Sequence, residues 1–367
     1  MANNTIGIGL IGLSARDCWA ARAHVPALKH LPNFEISALA ASSAESADEA
    51  AKKYGVPLSF DDASALASRP EVDLAVVAVR VPHHLELVSA ALHAGKPVYC
   101  EWPLGNGLAE AEEMANLAQE KGVKAFIGLQ ARSSPVVRYV RDIIASGKIG
   151  EVISTSLIAS PGAWGATVEP RMIYGLDRAN GVSMLTIQFG HAIDALCWCL
   201  GEFKELSATL ATRFPQPTRT DTGEPVTKTI DDQIAVSGIL ENGAVASIHY
   251  RAGTSRAHNF FWEINGSKGD LLITGDFGRL QYGEFRIQQA LGDDKSLTDL
   301  AIPEEYQRVP AGALKDIHYT LAQAYAGVAR DLATGADEIP TFADAVVRHR
   351  MLAAIEQSAA TGTRQTY

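Results

Sequence analysis

The chain opens on a nearly unbroken apolar run, Ile6, Ile8, Leu10, Ile11 and Leu13, with glycine at positions 7, 9 and 12. Such a run, ended by a turn, predicts a strand buried on both faces, as in a parallel sheet covered by helices. The pattern then alternates. Cys18 to Leu31 reads as a helix interrupted by Pro26, Phe34 to Ala41 as a second strand, and the stretch with Ala47, Ala50, Ala51 and Tyr54 as a helix closed by Gly55. A short segment around Leu58 and Phe60 and a small helix up to Ser68 follow. Further strands are predicted at Val72 to Val79, Val98 to Cys100 and Lys124 to Leu129. Between them lie a helix from Leu85 to Ala94 and another that turns Ala111, Met114, Ala115 and Ala118 inward. Regular strand–helix alternation makes a doubly wound parallel sheet.

Beyond Gly150 strands follow one another with less helix between them: Val152 to Ser160, Leu206 to Thr212, Ile234 to Leu240, Ala244 to Tyr250, Phe260 to Asn265 and Asp270 to Thr274. Asn242-Gly243 is a strong hairpin signal, which makes these neighbours antiparallel. Pro215 to Pro225 reads as a mobile loop, and two amphipathic helices close the chain. One carries Ile317, Leu321, Ala324 and Val328; the other runs from a Thr341 cap through Leu352 and Ile355. With 367 residues, more than one core usually serves, two domains are expected. The prediction is an α/β chain: an N-terminal Rossmann-type sheet over residues 1–130, then an α+β domain over 131–367 with an open, mainly antiparallel sheet for substrate binding and oligomerisation.

A net charge of -10 argues against nucleic acid as the main partner, while leaving room for a small anionic cofactor held by helix ends and single arginines. No apolar run approaches the ~20 residues that span a bilayer. The first strand begins too near Met1 for a secretory signal, so the expected location is cytoplasmic. Four cysteines, Cys18, Cys100, Cys197 and Cys199, suit a reducing compartment; Cys197 and Cys199, flanking Trp198 in an apolar helix, read as buried small residues and not as metal ligands.

In a doubly wound sheet the ligand lies beyond the carboxyl ends of the strands, which here are Gly12 to Arg16, Ser42, Arg80 to His84, Glu101 to Leu104 and Gln130 to Arg132. Gly7, Gly9 and Gly12 match the dinucleotide fingerprint by spacing, yet the first two fall inside the strand. The register that fits a turn is Gly12, Ser14 and Asp17, with Ser14 admitting the phosphates and offering them a hydroxyl. The second strand ends Ala41-Ser42-Ser43, without the acid that usually holds the adenosine ribose. Its loss tilts the cofactor toward NADP, with Arg16 as the cation for the extra phosphate. Ser42 with Glu45 also fits a capping box that would start the next helix.

The stretch V-D-L-A-V-V-A-V-R-V-P-H-H, then A-L-H-A-G-K-P-V-Y-C-E-W-P-L, resembles the Gfo/Idh/MocA oxidoreductase family. So do Arg132-Ser133-Ser134-Pro135, Gly147 to Gly150, Phe189 to Asp194 and the ending Ser358 to Gly362. The resemblance implies an NAD(P)-binding Rossmann domain, a second domain whose sheet forms the interface of a dimer or tetramer, and a sugar- or polyol-like substrate bound between the domains. It places Gly12, Leu13, Ser14, Ala15, Arg16 and Ser42 at the phosphates and adenosine. Val79, Arg80, Pro82, His84, Glu101, Trp102 and Gln130 fall toward the nicotinamide. Arg132, Trp164, Tyr174 and His191 are the substrate candidates; Arg132 could equally brace Glu101, and Trp164 and Tyr174 could be loop core.

The family's Glu-Lys-Pro lysine is Trp102 here, and its aspartate, four residues before the histidine, is Ile187. Of three polar groups only His191 remains to take a hydroxyl proton; Trp102 could stack on the nicotinamide instead. In these departures, and in Gly162-Ala163-Trp164-Gly165, the chain resembles the branch of the fungal galactose-pathway co-repressor, a sensor that binds dinucleotide and a protein partner. Two readings follow: an NAD(P)-dependent oxidoreductase using His191, or a non-catalytic NAD(P)-binding regulator.

Overall fold

Strand β1 (Ile6–Ile11) is almost wholly buried because helices cover both faces of its sheet. In a computed structural model, which describes residues 5–367 apart from Gly283 and Ala313, β1 lies inside a six-stranded parallel sheet. Its other strands are β2 (Phe34–Ala40), β3 (Leu58–Phe60), β4 (Leu74–Val77), β5 (Val98–Glu101) and β6 (Ala125–Gly128). The order is β3-β2-β1-β4-β5-β6, so the winding reverses between β1 and β4. The connecting helices are α1 (Val25–Lys29), α2 (Ala44–Tyr54), α3 (Ala63–Ala67), α4 (His84–His93) and α5 (Leu108–Lys121).

Two local expectations need correction. The first helix is a π-helical turn, Ala20–His24, leading into α1 with Pro26 in its first turn, where a missing N–H costs little. Helix α2 is capped by Ser43 and not by Ser42. The Ser43 Oγ accepts from the Ser46 N–H at 3.2 Å, which moves the start one residue on and leaves Ser42 exposed at the strand end.

The second sheet follows α6 (Pro135–Ala145). The elements after α6 are β7 (Val152–Ala159), β8 (Thr167–Val168), α7 (Gly190–Leu200), β9 (Phe203–Ala211), β10 (Thr218–Arg219), β11 (Gln233–Leu240), β12 (Val245–Arg251), β13 (Phe260–Gly266), β14 (Gly269–Gly275), β15 (Phe285–Leu291) and β16 (Thr298–Leu300), of which β8 and β10 pair apart from the second sheet. Eight strands run β16-β15-β14-β13-β7-β12-β11-β9, antiparallel except where β7 pairs with β12. Strands β15 and β16 were not expected, since polar residues such as Gln288 and Gln289 blur their alternation. The Asn242-Gly243 turn joins β11 and β12 with Gly243 at φ +90°, and Asn242 Oδ1 accepts from the Ala244 N–H at 3.0 Å. The stretch read as a mobile loop is tethered. Its strand β10 pairs with β8, and the Thr218 N–H donates to the Ala166 carbonyl at 2.9 Å.

Helices α8 (Asp316–Thr334) and α9 (Phe342–Thr361) end the chain. Leu321, Ala322, Tyr325 and Val328 of α8 share one core with Ile8, Leu10, Leu74, Val76 and Phe126 of the first sheet. Contacts divide the chain into two units: the part up to Ser133 together with Arg308–His349, and Ser134–Gln307 together with Arg350–Tyr367. At the head of α9 the Thr341 N–H and hydroxyl both donate to Asp344 Oδ2, at 2.7 and 3.0 Å. Among the described residues no helix is long and apolar enough to cross a membrane.

Candidate functional site

Gly12 ends β1 at φ +100°, and a Cβ there would lie 2.6 Å from Val79 Cγ1 and 2.9 Å from the Ala78 carbonyl oxygen. No side chain fits this turn, which brings the end of β1 against the end of β4 at the switch point. Gly7 and Gly9 are glycines for another reason: inside the strand a Cβ would strike the Glu71 carbonyl or the side chains of Leu66 and Val72. The turn register is therefore the one beginning at Gly12. Leu13 is buried behind it, while Ser14 Oγ accepts from the Arg16 N–H at 3.1 Å. Lys53, unforeseen from sequence, donates to the Ala15 carbonyl at 2.6 Å and adds a second cation beside exposed Arg16.

Beyond β4, Arg80 and Pro82 are exposed but His84 is not. Its Nδ1 faces the carbonyls of Pro103 and Leu104 at 3.0 and 3.1 Å, and its Nε2 faces the Val79 carbonyl at 3.3 Å. The ring thus ties the loop after β4 to the loop after β5. Burial pulls its pKa below the ordinary histidine value, against the raising effect of those carbonyls.

Glu101 closes β5 and is 8% exposed. Its Oε1 accepts from Gln130 Nε2 at 2.9 Å and lies 3.3 Å from Nε2 of His24. His24 in turn meets the Tyr325 hydroxyl through Nδ1 at 2.6 Å, and Tyr99 packs against both rings. The hydrogen-bonded brace on Glu101 is thus Gln130, with His24 beside it, whereas Arg132 pairs with Asp344 at 2.8 Å. Trp102, 4% exposed, lies in a cis peptide before Pro103, with its indole against His349 at 4.8 Å between ring centroids. That imidazole is pushed down to about 4 by burial and is neutral at physiological pH. His24, Tyr325 and His349 carry no local sequence signal, because each looks like one more residue on a helix.

The ends of β1, β4, β5 and β6 thus gather Gly12, Val79, Glu101, Trp102 and Gln130 along one edge of the first sheet. A crevice-side glycine turn with no room for a Cβ, basic groups beside it and a braced carboxylate further along fit a dinucleotide laid across the switch point.

In the second unit His191, 4% exposed, is the second residue of α7 and follows a π-helical turn, Leu185–Phe189, that contains Ile187. Asp194 is fully buried one turn later. Trp164 is buried with a left-handed backbone, φ +67°, and its ring fills the space a Cβ on Gly175 would need, 2.9 Å from Cη2. Its carbonyl accepts from Lys228 Nζ at 2.9 Å, and Lys228 pairs with Asp232 at 2.6 Å, both fully buried. Half-buried Tyr174, next to Gly175, belongs to the same loop cluster; its carbonyl accepts from Asn180 at 2.6 Å.

Two family descriptions match in succession: an oxidoreductase family with an NAD-binding Rossmann fold over residues 6–129, and the Gal80p C-terminal domain over residues 135–275. A dehydrogenase, aclE of Aspergillus oryzae, is 32% identical over 387 residues, covering 99% of this chain and 98% of that protein. The chain belongs to the Gfo/Idh/MocA oxidoreductase family. Within the family it stands close to the Gal80 branch. The galactose/lactose metabolism regulatory protein GAL80 of Saccharomyces cerevisiae is 31% identical over 295 residues, 74% of this chain and 67% of that protein. A crystal structure of a super-repressor mutant of that yeast Gal80p superposes with a TM-score of 0.90 at 25% identity, covering 99% of this chain and 97% of the other. Levoglucosan dehydrogenase, in a complex with NADH and levoglucosan, shares the fold at a TM-score of 0.83 and 23% identity over 99% of both chains.

Proposed function

We propose that this chain is an NAD(P)-dependent oxidoreductase acting on a hydroxyl of a sugar- or polyol-like substrate, with His191 as the proton carrier. The observation that carries the proposal is His191 itself, the remaining member of the family's polar trio, buried at the head of α7 with Asp194 one turn behind it. Bound nicotinamide supplies the hydride acceptor. The chain does the rest: the Gly12 turn takes the pyrophosphate, Glu101 with its Gln130 brace orients the nicotinamide half, and His191 accepts the hydroxyl proton as the alcohol becomes a carbonyl. Arg132, Trp164 and Tyr174 are assigned to substrate recognition on the family resemblance, and the second sheet to homo-oligomerisation. The acid-free end of β2, with Ser42 exposed and Arg16 and Lys53 near the first turn, favours NADP.

A second reading is favoured by two specific residues. Trp102 and Ile187 stand where the family keeps lysine and aspartate. A non-catalytic sensor of NAD(P) that meets a protein partner needs neither. Calorimetry with NADH and NADPH, followed by turnover on a panel of sugars and inositols read as reduced-nicotinamide absorbance, separates the two. The enzyme reading expects turnover that falls about 10²–10⁴-fold in His191→Asn with cofactor affinity kept. Cofactor uptake without turnover on any substrate leaves the sensor.

A further inference from the structure

The buried linkage Tyr325–His24–Glu101 spans three distant segments, and the reaction proposed above gives no role to its Tyr325 and His24. Its polarity follows from hydrogen counting. The Tyr325 phenol is fully buried and holds its proton, since burial raises its pKa well above the ordinary value. Its O–H therefore donates to His24 Nδ1 at 2.6 Å, which leaves the imidazole proton on Nε2. The reverse arrangement would turn a lone pair of Nε2 toward the carboxylate 3.3 Å away and leave the phenol proton without an acceptor. Yet Nε2 is fully buried and is not aligned for a hydrogen bond, although Glu101 Oε1 is its neighbour. A buried donor left short of its bond is costly, and a small movement of the carboxylate would complete it. Oε1 already accepts from Gln130. Oε2 has no donor among the described residues, which leaves its lone pairs for a ligand.

We infer that His24, oriented by Tyr325, is a positioning residue for the cofactor site: it draws Glu101 into line when the nicotinamide half of the dinucleotide donates to Oε2. The inference rests on the proposal that NAD(P) lies across the switch point. Glu101 stands at the end of β5, on the opposite side of β1 from β2, so the relay serves the nicotinamide half and leaves the adenosine half alone. Functional-site hydrogen bonds that are long without ligand and tighten with it behave in this way. Because Tyr325 belongs to α8, the helix becomes part of the support of the cofactor site and not merely cover for the sheet.

Calorimetry of the full chain with NADPH, NADH and their adenosine-side fragments tests this. His24→Leu is expected to weaken dinucleotide binding about tenfold or more, the size of a lost bond to a charged group, while fragment binding stays within about twofold. His24→Gln, whose amide N–H reaches about where Nε2–H does, is expected to restore most of the loss. Tyr325→Phe removes one oxygen from a site that keeps its shape and is expected to weaken dinucleotide binding severalfold. Wild-type protein that takes up no dinucleotide overturns the functional proposal. Wild-type uptake with His24→Leu and Tyr325→Phe unchanged overturns the relay alone, and so does an equal loss for dinucleotide and fragment, which marks general damage to the fold.

Discussion

The contact between Trp102 and His349 makes a quantitative prediction about acid stability. His349 is 4% exposed, and burial holds its pKa at about 4 against an ordinary 6.5. Its Nε2 has no acceptor among the described residues, and its ring packs on the Trp102 indole, which presents no lone-pair acceptor to it. In the unfolded chain the imidazole takes a proton as pH falls through about 6.5, whereas the folded chain declines it until about 4. Stability is therefore complete above that upper value and drains away as pH falls between the two. At 1.36 kcal/mol per pKa unit the full loss is about 3 kcal/mol, of which about 2 kcal/mol has gone by pH 5. Replacing His349 with Phe, a ring of similar volume that cannot titrate, removes the term. Urea unfolding of wild type and His349→Phe near pH 7 and near pH 5, followed by tryptophan fluorescence, isolates it, because other groups titrate alike in both. Wild type is expected to lose about 2 kcal/mol more than the variant on acidification. Equal losses would refute the reasoning and mean that the imidazole finds an acceptor or water when charged.

Two further outcomes are expected. Burial works to raise the Asp232 carboxyl, but Lys228 and the Arg213 and Phe214 N–H groups together hold it below its ordinary value. Lys228→Met strands that charge and should cost about 3–5 kcal/mol near neutral pH, less on acidification as the carboxyl takes up a proton; adding Asp232→Asn should restore more than half. A urea-unfolding loss under about 1 kcal/mol would show that the pair is not holding the Trp164 loop. Ser42→Asp sets a carboxylate at the end of β2 and should lower NADPH affinity relative to NADH by about tenfold or more, read by calorimetry; an unchanged ratio counts against adenosine binding there.

What the sequence by itself determined was local. Alternating apolar strands and helices give the doubly wound sheet, because periodicity within one element reports how many of its faces are buried. Gly12 at the end of an apolar run marks the turn, and Asn242-Gly243 marks the hairpin, because both depend on the backbone freedom of glycine at a single position. The absence of the family lysine and aspartate is equally a matter of reading positions 102 and 187. Tertiary structure alone decided the rest. That His24 faces Glu101 and is oriented by Tyr325, that His349 covers Trp102, that Arg132 turns to Asp344, and that α8 packs on the first sheet are meetings of distant segments. Helical periodicity says that a residue is buried but not beside what. Each of these polar groups looks, in its own element, like part of an apolar or solvated face; only the requirement that buried donors and acceptors find partners across the core brings them together.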